Sequence, residues 1–364
     1  MHIPNKVYRQ PKAWAGLLLL VLLVRLFSAN EQWVEKYYSG AFYPAISNFQ
    51  RFLFGWLPIS MGDLLYLAAG GWLVWAVFRY IRSLYSQGFQ LKVFLDKIVR
   101  VVFFIIITYL IFNILWGINY NRQGISHQLS IDHYRYDSAD VREIEQLLLA
   151  KVNHASTASI DRNVAYPSTH EIFDRAAICY RKAAKDFPFL KYTGSNSVKK
   201  SLFGWLGNTL GFTGYYNPFT GEAQVNTSVP AFLQPYIAAH EIGHQLGYGK
   251  EDEASFAGYL AVISSRDSLF HYSAYLDLFL YANREMYYID SNAAKHSIKE
   301  LLAPVREDIE EWRRFNLAHR SFLEPVMTWL YGNYLKLNEQ PKGMRSYNEV
   351  LSMLIAYHKK YGRI

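Results

Sequence analysis

The sequence predicts a mainly α protein: three N-terminal transmembrane helices followed by a mostly helical globular domain with a small β-hairpin or sheet. Three observations carry that expectation. Charge-poor apolar runs crowd the first third, helical signals dominate after Arg122, and a stretch over 211–226 with glycine punctuation, adjacent aromatics and an Asn-Pro turn reads as a β-hairpin. Composition agrees, since 51% of the 364 residues are hydrophobic and only 19% are charged, below the roughly 25% of an ordinary soluble domain.

The third apolar run is the clearest. Val101 to Asn121 carries no charge between Arg100 and Arg122, a length that spans a bilayer at about 1.5 Å rise per residue. The second, Leu64 to Phe78, starts after Pro58 and Asp63 and extends to Ile81 if Arg79 snorkels to the interface. The first, Ala13 to Phe27, contains Arg25 and follows Lys6, Arg9 and Lys12. Signal-peptide cleavage needs small residues at alternate positions, and Phe27-Ser28-Ala29 puts Phe in one of them, so an uncleaved anchor is expected. The spans are placed at about 13–28, 62–82 and 101–121, giving a membrane domain over 1–121 and a globular domain over 122–364.

Basic residues set the orientation. Lys6, Arg9 and Lys12, with Arg79, Arg82, Lys92, Lys97 and Arg100 of the second connection, belong on the cytoplasmic side, which leaves the globular domain outside. Gly88 to Arg100 reads as a surface amphipathic helix or a loop. The same basic residues account for much of the net charge of +8, and no recognised module points to nucleic acid. The single cysteine, Cys179, excludes an internal disulfide and any zinc site built from two or more cysteines.

Within the globular half, apolar spacing predicts helices over 138–153, 233–246, 250–264, 269–287, 292–302, 305–319, 321–336 and 346–360. Ser168-Thr169-His170-Glu171 reads as a capping box opening a further helix to about Lys185. The hairpin signal lies in Gly211 to Asn226, with its second strand at Glu222, Ala223, Gln224, Val225 and Asn226.

Chemistry concentrates in His240-Glu241-Ile242-Gly243-His244. Residues four apart share a helix face, so both imidazoles can meet one ion. Glu241, about 100° around the helix, stands beside such an ion as a general base toward its water. Catalytic zinc commonly takes two His and one carboxylate, leaving a position open. The next helical segment opens with Glu251-Asp252-Glu253-Ala254-Ser255-Phe256, so Glu251 is the expected third ligand of one Zn2+, with Glu253 as the alternative. Small residues on the Glu251 face (Ala254, Ser255, Gly258) would admit a close helix crossing, and Ser255 could bond a ligand from behind. Tyr272, Tyr275 and Tyr347, with His271 behind them, are candidate oxyanion stabilisers; His127, His154 and His319 lack ligand spacing and read as surface residues.

Gly-Phe-Thr-Gly-Tyr-Tyr at 211–216, Thr-Gly-Glu-Ala at 220–223, the His240 motif and Glu251 to Phe256 stand in this order behind three spans. With Trp116 to Arg122 and Ser346-Tyr347, they resemble an uncharacterised bacterial three-span membrane family, domain of unknown function 3810, along nearly the whole chain. More distantly, Glu251 to Ser255 looks like the Glu-x-x-Ala-Asp element of membrane-bound zincins that include the CAAX-processing and HtpX-type proteases. There the first Glu is the ligand, which supports Glu251, whereas Ser255 replaces their Asp. The resemblance implies a zincin-like domain in a bacterial cytoplasmic (inner) membrane protein. It also implies that the strand Glu222 to Asn226 is the edge that receives extended peptide.

The expected function is a membrane-anchored, zinc-dependent metallohydrolase acting on protein or peptide outside the membrane. The alternative is a catalytically inactive zinc-binding scaffold or receptor. An intramembrane protease fits less well, because Lys250, Glu251 and Asp252 follow the motif too closely for a spanning helix.

Overall fold

The computed structural model describes residues 7–131, 136–159, 166–337 and 349–364. Its first helix, α1 (Pro11–Ser28), begins with proline at N1, where the lost N–H would be unsatisfied anyway. A turn α2 (Glu31–Trp33) capped by Asn30 runs into a π-helical stretch, Val34–Phe42, and then α3 (Tyr43–Phe54). α4 (Met61–Gln87) and α5 (Leu91–Leu115) follow, and with α1 they are the three helices long and apolar enough to cross a membrane.

Two details differ from the sequence reading. The Gly88 to Arg100 stretch is no separate surface element: from Leu91 it forms the first turns of α5, because no glycine or proline interrupts it. The same helix stops at Leu115, short of Asn121, and Gly117–Asn121 continues as a 3-10 turn. At the other end, Arg9 and Tyr8 reach Asp96 on α5, at 2.6 Å and 2.9 Å, so the basic N-terminus sits beside the basic α4–α5 connection.

The globular half is helical, with α6 (Gly124–Leu129), α7 (Ser138–Ser159) and α8 (Thr169–Ala183), whose N-terminus Ser168 caps through the Glu171 amide. After strand β1 (Val198–Lys200) and the short α9 (Gly204–Leu210) come β2 (Gly214–Asn217) and β3 (Glu222–Val225). The remaining helices are α10 (Gln234–Gln245), α11 (Glu251–Ile263), α12 (Ser268–Ile289), α13 (Ser291–Glu300), α14 (Ala303–His319), α15 (Glu324–Leu337) and α16 (Glu349–Tyr361). The core gathers where α10 and α11 pack on α8 and α12, with Ala239, Ile242, Phe256, Leu260 and Phe279 fully buried. Cys179 lies in that core.

The sheet has the order β1-β3-β2, with β1 parallel and β2 antiparallel to β3. This corrects the expectation that Glu222 to Asn226 forms an edge. All four residues of β3 are buried, and its main chain is spent on both neighbours. The Glu222 carboxylate instead accepts from the amides of Met61 (3.1 Å) and Gly62 (2.6 Å), capping the N-terminus of α4. Gln224 meets the Ser60 hydroxyl at 2.9 Å. Of the two outer strands, β2 is the one that borders the site: the Asn226 amide bonds the Thr213 carbonyl, and antiparallel alternation then turns the main-chain groups of Gly214 and Tyr216 away from β3.

Residues 31–60 join the first apolar helix to the second. They fold back onto the globular half, where Tyr43 donates to the Gln245 carbonyl at 3.0 Å and Ser47 to the same oxygen at 2.9 Å.

Candidate metal centre

α10 places His240 and His244 one turn apart, their ring centroids separated by 4.9 Å and their planes nearly perpendicular. α11 begins at Glu251 and lies close against α10 because both helices are glycine-bearing at the crossing. A Cβ on Gly243 would stand 2.8 Å from the Ala254 carbonyl oxygen, and one on Gly258 3.1 Å from the His240 nitrogen. The close approach brings Glu251 Oε2 within 3.2 Å of His240 Nε2 and 3.6 Å of His244 Nε2. Ligand atoms of the three residues all lie within 4.8 Å of one another.

The far nitrogens are occupied. His240 Nδ1 meets Ser255 Oγ at 3.0 Å, and His244 Nδ1 donates to the Tyr248 carbonyl at 2.7 Å. A ring whose Nδ1 carries the proton presents an Nε2 lone pair, the tautomer a metal takes. Two imidazole nitrogens and a carboxylate oxygen, converging in a largely buried site, are a ligand set that could hold a metal ion.

Charge follows the geometry. Burial lowers the pKa of His240. Burial opposes protonation of His244 too, but the Glu251 carboxylate outweighs it and raises that imidazole to about 9. Burial likewise works against ionised Glu251, yet His244 and His240 hold it well below the usual carboxylate range. Burial pushes Glu241 up to about 8. Its carboxylate abuts Gly214, where an added Cβ would stand 2.4 Å from Oε1, and its Oε2 has no hydrogen-bond partner among the described residues.

These groups form one wall of a cavity of about 1120 Å³. Opposite walls come from β2, from the α12 face carrying Ser273, Asp277 and Tyr281, from α9 and α15, and from Tyr66 and Phe112 near the ends of α4 and α5.

Other expected positions fall elsewhere. Glu253 is turned from the histidines toward α6, where a Cβ on Gly124 would collide with its Oε1. Two residues from Glu251 along a helix, it faces nearly the opposite way, so the alternative third ligand is not brought to the cluster. Tyr275 is buried beside His271 outside the cavity, and Tyr272 donates to Asp308 at 2.5 Å. Tyr347 lies outside the described residues. Sequence reasoning missed Tyr281, which lines the cavity, makes no hydrogen bond among the described residues, and feels the Glu251 charge. Its signal was present: Ser273, Asp277, Tyr281 and Arg284 recur at helical spacing along one face of α12.

Fold and site define a class: a helical protein with three membrane-length apolar helices and a buried His-His-Glu cluster that could hold a metal ion. The family described as "Protein of unknown function (DUF3810)" matches residues 38–355, and the chain belongs to it. No curated protein matches this chain. No solved structure matches it either.

Proposed function

We propose that this chain is a membrane-anchored, zinc-dependent metallohydrolase with a zincin-like domain, acting as a peptidase on the extracytoplasmic side of the bacterial cytoplasmic membrane. The observation that carries the reading is the convergence of His240 Nε2, His244 Nε2 and Glu251 Oε2 beside an unpartnered Glu241 oxygen in a large cavity. His240, His244 and Glu251 would hold the ion, with Ser255 and the Tyr248 carbonyl fixing the two rings. A zinc ion bound there supplies Lewis acidity and makes water a stronger acid.

Glu241 takes the proton from the attacking water at its carboxylate and returns it to the leaving amine. Tyr281 donates its hydroxyl to the carbonyl oxygen as negative charge develops there. The free edge of β2 accepts an extended peptide through the main chain of Gly214 and Tyr216, a mode that tolerates many sequences. Orientation is supported by the gathering of Arg9, Arg79, Arg82, Lys92 and Lys97 at the end of the helices remote from the cavity.

Glu241→Gln decides the reading. Hydrolysis of a peptide library should fall by about 10²- to 10⁴-fold while zinc content stays that of the native protein. An unchanged rate sinks the mechanism. Stoichiometric zinc with no hydrolysis by the native chain would leave a metal-bearing scaffold in its place.

A further inference from the structure

The cavity has a wall whose outer side is uncovered among the described residues. α9 and α15 form it together, joined where Ser321 Oγ donates to the Thr209 carbonyl at 3.0 Å, and they contribute Leu206, Leu210, Met327 and Thr328 to the interior. The outward sides of these helices are apolar. Phe322 is 86% exposed, Trp329 67%, Val326 52% and Leu330 47%, and Trp205 on α9 is 69% exposed. Val326, Trp329 and Leu330 recur at three- and four-residue spacing, one continuous stripe along α15. Arg320 before the stripe and Lys336 after it place cations at its two ends, the pattern of a helix lying in a lipid interface.

Position supplies the occupant. The cavity that α9 and α15 close on one side is bounded on another by Tyr66, in the second turn of α4, and by Phe112, in the last turn of α5. Leu202, at the entry to α9, donates its amide to Asp63 at the start of α4 at 2.7 Å. Through that bond α9, against which α15 packs, adjoins the start of the membrane-length α4, whose own flanks at Leu64, Leu65 and Leu67 are exposed. Large apolar side chains clustered on an exposed surface mark an interaction site, and here they lie on helices joined to the start of α4.

We propose that α9 and α15 are seated in the bilayer leaflet on the side of the globular domain, so that the mouth of the cavity opens at the membrane surface. The seating holds whatever the site does. Combined with the function proposed above, on which this consequence rests, it makes the substrate a peptide held at the bilayer surface.

The test places nitroxide spin labels at Val326→Cys and Trp329→Cys in the full chain reconstituted in phospholipid nanodiscs. Leu73→Cys in mid-α4 serves as the lipid reference and His170→Cys on α8 as the water reference. Cys179 is buried and its thiol pushed up by burial to about 11, so it stays unlabelled. Collision rates with oxygen and with a neutral nickel chelate are then compared. At 326 and 329, oxygen should exceed the chelate several-fold, as at Leu73. Chelate access equal to that at His170 overturns the proposal. Protection from both reagents overturns it as well, by showing that protein covers the stripe. Because no variant touches the His-His-Glu cluster, failure here leaves the zinc and hydrolysis measurements to judge the site on their own.

Discussion

Gly243→Ala tests whether helix proximity builds the cluster. The new methyl would stand 2.8 Å from the Ala254 carbonyl oxygen, 3.0 Å from its Cα and 3.3 Å from its carbonyl carbon. Ordinary contact begins near 3.4 Å, so the backbone of α11 must retreat by about 0.6 Å, and no flexible side chain can absorb the clash. Overpacking of this kind costs about 1–3 kcal/mol, and replacing a mid-helix glycine by alanine returns about 1 kcal/mol of helix propensity, so melting should change modestly. Metal affinity should change more. Ala254 lies one turn beyond Glu251, so a retreat of α11 carries Glu251 Oε2 away from both imidazoles, and metal–ligand distances tolerate only about 0.2 Å. Competition with a chromogenic chelator should show zinc affinity at least tenfold weaker, about 1.4 kcal/mol. Gly71→Ala, in open space on α4, is the control and should bind zinc as the native chain does. Native zinc affinity in Gly243→Ala would refute the view that the crossing sets the ligand geometry.

Four further outcomes follow from the same structure. Ser255→Ala removes the partner of His240 Nδ1 and should weaken zinc binding by about 10- to 100-fold in the same competition assay, with Ser255→Thr restoring most of it. Tyr281→Phe should lower kcat by about 10²- to 10³-fold with KM and zinc content little changed, while Tyr275→Phe, outside the cavity, should leave turnover intact. Buried Arg122 pairs with Glu35 at 2.7 Å, and Arg122→Ala should cost about 3–5 kcal/mol in detergent unfolding. Burial opposes ionisation of Glu35, but Arg122 and Gln128 prevail and hold its pKa below 4.5. A depressed folded-state pKa gives stability that is complete above the unfolded value and lost as pH falls through the folded one. Native Tm should therefore drop below about pH 4.5, and Glu35→Gln should flatten that part of the profile.

The elements most legible in the sequence were those fixed by local rules. His240 and His244 share a face because of helix geometry alone, and the turn at Gly247 and Gly249 delivers Glu251 immediately afterwards. Two-residue spacing puts Glu251 and Glu253 on nearly opposite faces of α11, but which face meets the histidines is set by packing. What escaped depended on distant pairing. β1 is three residues long and carries no alternation of its own, yet it occupies the side of β3 that a peptide would need. Tyr281 lies 41 residues beyond His240 in a chain with 29 tyrosines, so residue type alone could not separate it from Tyr272 or Tyr275. The π-helical stretch and α3 lie between two apolar runs, and their exposed aromatics, Phe49 and Phe52 among them, concealed the side that faces the globular half.

That hidden side bears on why the two halves form one unit. A helix leaves its last four carbonyls without internal partners, and α10 ends inside the protein, where water cannot serve them. Local amides of Leu246, Gly247 and Tyr248 serve the carbonyls of Ile242, Gly243 and His244, and side chains from earlier in the chain add the rest: Trp116 Nε1 to the His244 carbonyl at 3.2 Å, Tyr43 and Ser47 to Gln245, and, just beyond the helix, Arg122 to Leu246 at 3.4 Å and Gly247 at 3.3 Å. In return, Glu222 of the sheet caps the first amides of α4. Arg122 also lies over the Tyr248 ring, 4.4 Å from its centroid, and Tyr248 supplies the carbonyl that fixes His244. The orientation of the second histidine is thus determined by residues at the membrane end of the molecule. A soluble domain cut at residue 122 would keep the motif and lose Tyr43, Ser47 and Trp116. The apolar helices accordingly do more than tether the site: the segments joined to them hold its second imidazole in place.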